Sequence, residues 1–164
     1  MIIMQYKDFI IRPWETRDRK IVVNLITNIL AEYGLGSEPC GADEDVEKVE
    51  EFYYQKGGEF WVVEQSDNIV GSAAYYPIKR GNHGVEIRKM YLIPEVRGQG
   101  LGKFLLRELE IKIKSQGFQE IYLETATVLK EAVKLYESCG YQQTTGVETQ
   151  RCDLVYKKSL CIGN

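Results

Sequence analysis

Residues 90–103, Met90-Tyr91-Leu92-Ile93-Pro94-Glu95-Val96-Arg97-Gly98-Gln99-Gly100-Leu101-Gly102-Lys103, decide how this chain is read. The run from Val85 to Ile93 is β-branched and aromatic and stops at Pro94, which reads as a strand. A glycine-rich turn follows. An amphipathic helix then starts at about Gly100, with Leu101, Leu105, Leu109 and Ile113 in a stripe and Gly117 as a stop. Strand, glycine turn and helix start together can hold phosphate. The first N–H groups of a helix lack carbonyl partners inside it, and the helix dipole makes that end partly positive. Gly98, Gly100 and Gly102 remove the Cβ atoms that would keep an anion from those amides. Arg97 offers a charged fork for phosphate oxygens. The plain alternative is a connecting loop with nothing bound.

Two common phosphate turns fail on counting. A P-loop needs Gly-Lys-Ser/Thr, but Gly102-Lys103 is followed by Phe104, and Arg97 stands where its first glycine belongs. A dinucleotide fingerprint needs G-x-G-x-x-G, and here the third glycine comes one place early.

The spacing Arg97-x-x-Gly100-x-Gly102 matches the R/Q-x-x-G-x-G/A signature of the GNAT superfamily of N-acetyltransferases. Met90 to Pro94 resembles the strand that precedes that signature. Ala132-Val133-Lys134-Leu135-Tyr136-Glu137-Ser138-Cys139-Gly140-Tyr141 resembles the family's A-x-x-L-Y-E-x-x-G-F/Y helix end, and Ile10-Ile11-Arg12-Pro13 its first strand. The chain is thus similar to small single-domain, bacterial-type members. The resemblance implies an α/β fold with a central mixed sheet and helices on both faces.

Composition agrees. With 164 residues and 44% apolar content the chain reads as one domain, residues 1–164. Cys40, Cys139, Cys152 and Cys161 form no C-x-x-C pair and His83 is the one histidine, so neither a metal site nor a disulfide framework is expected. The start Met1-Ile2-Ile3-Met4 meets Lys7 too soon for a signal segment, and no apolar run has membrane-spanning length. A net charge of −3 gives no reason to expect nucleic acid. We therefore expect a cytoplasmic protein with no membrane or nucleic-acid partner; a homodimer is compatible with the reading.

Along the chain, residues 4–12 read as a strand, Thr16 to Tyr33 as a helix, and Gly41 to Gly58 as a second helix with a solvated acidic face. Phe60–Glu64 and Ile69–Ile78 read as strands joined at Asp67-Asn68. Residues 79–84 form a loop in which His83 is a surface residue. Strand 120–124 should run parallel to 85–93 across the intervening helix, followed by a helix near 129–139 and strands near 141–146 and 152–158.

The resemblance implies acetyl-CoA as cosubstrate, no metal, and direct transfer of the acetyl group to an amine in a ternary complex. The amides of Gly98, Gln99, Gly100, Leu101, Gly102 and Lys103 would receive the pyrophosphate with Arg97, and the main chain of Met90, Tyr91 and Leu92 would pair with the pantetheine arm. On this reading Arg97→Ala costs about 1.5–3 kcal/mol of CoA binding. The Leu92 amide would polarise the thioester carbonyl. An alkylammonium of pKa ~10.4 is neutral in about one molecule in 2,500 at pH 7, so a base is needed. Glu86 holds the position of a base glutamate in some members; an ion pair with Arg88 is the alternative. Strand alternation is expected to set Glu86, Arg88, Met90 and Leu92 on one face. Tyr136 stands where the family places its general acid, although it also fits a core stripe. Leu129 replaces an asparagine that meets the cofactor arm in many members. Two other functions stay open: a non-catalytic acyl-CoA-binding or regulatory module, and a nucleotide-dependent oxidoreductase.

Overall fold

The computed structural model describes residues 3–160; residues 1–2 and 161–164, Cys161 included, lie outside the described residues. In chain order the elements are β1 (Met4–Tyr6), β2 (Phe9–Pro13), α1 (Arg19–Glu32), α2 (Glu44–Glu47), β3 (Glu59–Gln65), β4 (Asn68–Pro77), β5 (Gly84–Leu92), α3 (Leu101–Ser115), β6 (Glu120–Thr125), α4 (Lys130–Ser138), β7 (Gln142–Thr144) and β8 (Leu154–Ser159). The strands form one mixed sheet in the order β1-β2-β3-β4-β5-β6-β8-β7. All neighbours are antiparallel except β5 and β6, which α3 joins as a parallel crossover.

Each face of the sheet is covered by helices because each strand alternates two apolar sets. Trp61, Val63, Ala73, Tyr75, Val85 and Ile87 pack with the α3 stripe of Leu101, Leu105, Leu106, Leu109 and Ile113. Phe60, Val62 and Ala74 pack with Val22, Leu25, Ile26, Ile29 and Leu30 of α1. No helix among the described residues is long and apolar enough to cross a membrane.

Three expectations change. The strand at 4–12 is a hairpin, turned at Lys7 with φ +51°. The turn before β4 is Ser66-Asp67, both with positive φ, one residue earlier than expected. The 41–58 helix is broken: α2 ends at Glu47, Lys48 leaves helical geometry, and Glu50–Tyr54 forms a π-helical turn. Nor is its acidic face wholly solvated. Asp43 and Asp45 do not face solvent but are buried in ion pairs, 5% and 4% exposed.

Candidate active site

The parallel pair β5/β6 is joined only at Gly84–Glu86 with Glu120–Tyr122. Beyond that point β5 keeps to β4 and β6 keeps to β8, so the middle of the sheet parts. Ile93 donates its N–H to Val70 O at 3.0 Å. Antiparallel alternation then turns the main chain of Leu92 away from β4 and into the gap. The Leu92 carbonyl is held there by Arg97 Nε at 3.0 Å.

One residue too many stands on β5 between the pairs Ser72–Tyr91 and Ala74–Arg88. This bulge centres on Lys89, at φ +52°. Its carbonyl is bonded by the buried Ser72 hydroxyl at 2.6 Å, and its ammonium by Asp43 Oδ1 and Ala42 O, both at 2.9 Å. A bulge reverses alternation, so the four-residue face expected from the sequence does not form. Met90 and Leu92 point to the α3 side. Arg88 points to the α1 side, bonding Tyr76 Oη and Ala42 O, and Glu86 lies beside its guanidinium.

The gap opens a cleft of about 300 Å3 lined by Met90, Tyr91, Leu92, Arg97, Gly98, Gly100, Gly102, Lys103 and Tyr136. Gly98 and Gly100 adopt φ +76° and +83°, which only glycine takes readily. A Cβ on Gly100 would also fall 2.6 Å from Tyr6 Oη. Tyr6 and Lys7 both donate to Gln99 O, at 2.9 and 2.8 Å, and tie the loop to the first hairpin. The first turn of α3 has no side-chain cap and no acidic residue. Its first amides are thus left without a side-chain acceptor beside the cleft, an arrangement that suits an anion. Leu101 is 1% exposed and packs in the core, and neither it nor Gln99 is among the residues that line the cleft.

The free fork expected at Arg97 is not there: both terminal nitrogens bind Glu32 of α1, at 2.6 and 3.0 Å. With that charge already neutralised, Arg97→Ala should weaken CoA binding by only about tenfold, the low end of a charged hydrogen bond. Calorimetric titration checks this, and a change under twofold would leave the anion to the amides and Lys103.

Glu86 is enclosed, its side chain 13% exposed, with Arg88 Nη1 at 3.8 Å, too far for a hydrogen bond. Burial pushes its carboxyl up to about 7; Glu124 and Glu148 push the same way, against Arg88 and Lys89. Desolvation therefore outweighs the ion pair that the sequence left as an alternative. Glu124 escaped the sequence reading. It lines the cleft from β6 and fixes the 145–150 loop by accepting the N–H groups of Glu148 and Thr149, at 2.6 and 3.1 Å. Its signal was a lone carboxylate after the apolar run Ile121-Tyr122-Leu123.

Tyr136 is 7% exposed and lines the cleft from α4. Its ring packs 6.0 and 6.3 Å from those of Tyr141 and Tyr156, so it belongs to core and cleft alike. Its hydroxyl makes no hydrogen bond among the described residues, and burial raises its pKa well above that of a free phenol. Leu129 and Leu135 complete an apolar wall beside it. His83 is exposed in its turn, away from the cleft.

Known proteins place this geometry. Residues 24–141 match the model of the acetyltransferase (GNAT) family. The chain is 33% identical over 136 residues to the uncharacterized N-acetyltransferase YjgM of Escherichia coli (strain K12), covering 81% of each. Its fold is similar to an acetyltransferase of the GNAT family from Staphylococcus aureus Mu50, with a TM-score of 0.86 at 22% identity over 93% of this chain and 99% of that one. A further likeness, with a TM-score of 0.74 at 18% identity and 96% coverage of both chains, is to yncA, a putative acetyltransferase from Salmonella typhimurium with its cofactor acetyl-CoA. A mixed sheet parted beside an uncapped glycine-rich helix start, with a family match across most of its length, gives one conclusion: the chain belongs to the GNAT acetyltransferase family.

Proposed function

We propose that this single-domain protein transfers the acetyl group of acetyl-CoA to a primary amine by direct attack in a ternary complex. The observation that carries this is the meeting of two open donor sets in one cleft: the α3 first-turn amides, and the Leu92 main chain where β5 leaves β6. The diphosphate rests on Gly98 to Lys103, and the pantetheine arm runs along Met90 to Leu92 like an added strand. The Leu92 amide then stabilises the oxyanion that forms on the thioester carbonyl.

Glu86 removes a proton from the acceptor ammonium. The amine nitrogen bonds to the carbonyl carbon, the C–S bond breaks as the tetrahedral intermediate collapses, and the nitrogen gives up its second proton, which through water restores the Tyr136 phenol. Tyr136 gives its proton to the leaving thiolate, an uphill step of at least about 2 kcal/mol that an aligned hydrogen bond can supply. Cys40, Cys139 and Cys152 are free thiols, which fits a reducing cytoplasm.

A thermal-shift screen with CoA esters, followed by acetylation assays on a panel of amines, tests the proposal. Stabilisation by acetyl-CoA with turnover of at least one amine is expected. Tyr136→Phe should lower kcat about tenfold to thirtyfold while leaving CoA affinity within twofold. Binding of acetyl-CoA without turnover, and with Tyr136→Phe indistinguishable from wild type, would make the chain a binding module instead.

A further inference from the structure

A second cavity, of about 280 Å3, lies on the α1 side of the sheet and meets the cofactor cleft at Arg88. The rings of Phe52, Tyr53 and Tyr76 line it, and the carboxylates of Glu38 and Glu148 also border it. The two ends differ in charge. At the inner end Arg88 stands 3.6 Å from Asp45 Oδ2 and 3.8 Å from Glu86 Oε1. Among the described residues Asp45 Oδ1, on a side chain 5% exposed, has no hydrogen-bond partner, although Lys89 supplies charge at 3.4 Å. A buried acceptor left open in this way calls for a donor.

At the outer end Lys56 holds its ammonium 4.8 Å from the centre of the Phe52 ring and 5.5 Å from that of Tyr76. Among the described residues no carboxylate pairs with it. The inner end thus sets the carboxylates of Asp45 and Glu86 beside Arg88 and Lys89, with one oxygen left open; the outer end carries an unpaired cation, and aromatic rings lie between.

We propose that the acceptor is an amino carboxylic acid, with its ammonium toward Glu86 and Asp45, its carboxylate met by Lys56, and its carbon skeleton against Tyr76 and Phe52. This rests on the acetyl-transfer reading and narrows it. A diamine of similar length would set its second ammonium against Lys56, and an amine without a carboxylate would leave Lys56 unpaired. The transfer step is the one already described; the carboxylate takes no part in it and serves to position the amine.

Calorimetric titration of the CoA-saturated protein, with acetylation assays in parallel, tests the idea. The probes are phenylalanine against phenethylamine for an α-amino acid, and δ-aminovalerate against butylamine for an ω-amino acid. At least one acid should bind, and should be acetylated with kcat/KM at least tenfold above its partner. Lys56→Gln should remove that advantage, the loss falling on KM rather than kcat, and Lys56→Arg should restore it. Added salt should raise KM for the acid more than for the amine.

Failure of both acids to bind would overturn the inference. So would amines used as well as their acids, or an equal loss for both in Lys56→Gln. Discriminating binding without acetylation would uphold this cavity assignment and strike the acetyl-transfer reading instead.

Discussion

Replacing Asp43 with alanine should lower the unfolding free energy by about 3–5 kcal/mol, the range for removing one partner of a buried ion pair. Asp43 binds Lys89 at 2.9 Å and Arg151 at 2.6 Å through both carboxylate oxygens. The Lys89 and Arg151 side chains are 3% and 11% exposed, so neither charge can turn to water. The substitution would also free the bulge and the 36–43 and 145–151 segments, which Asp43 draws together. Burial alone would raise the Asp43 carboxyl, but Arg151 and Lys89 outweigh it and hold the group below the ordinary carboxylate range. A folded pKa below the unfolded one stabilises fully above about pH 4 and is lost as pH falls through the folded value. Urea unfolding should therefore show a large gap between wild type and Asp43→Ala at pH 7 that narrows toward pH 2. An equal gap at both would assign the loss to packing.

Glu86→Gln should lower kcat/KM by about 10²–10⁴-fold at neutral pH, the usual contribution of a positioned base. The pH profile carries the stronger test. With its carboxyl near 7 because of burial, Glu86 is about half ionised at neutral pH. Wild-type kcat/KM should rise with pH and level off above that value, and the variant should lose this limb. If the limb survives in Glu86→Gln and vanishes in Glu124→Gln, the base is Glu124.

Much of the fold could be read from local pattern. The α3 stripe, the hairpin of β3 and β4, and the parallel β5/β6 crossover all follow from periodicity and turn chemistry. The glycine turn was legible because Gly98 and Gly100 do local work, both at positive φ and Gly100 also against Tyr6. The bulge was not. Lys89 is an unfavourable residue for positive φ, and what holds it there comes from Ser72 and Asp43, far away in sequence. The same distance hid the surroundings of the second cavity. Asp43 and Arg151 lie 108 residues apart, and no window of the chain predicts their meeting. The acidic segment at 43–51 had the composition of a solvated helix, and only tertiary partners reveal that two of its carboxylates turn inward.

The extra residue at Lys89 gives one strand two customers. On the proposed reading, positions 86 and 88 face the acceptor while positions 90 and 92 face the thioester. On that reading a protein engineer could recast acceptor choice among the side chains packed around Glu86, keeping Glu86 itself, and leave thioester handling downstream of the kink intact. Deleting a single residue there would turn the two inside out.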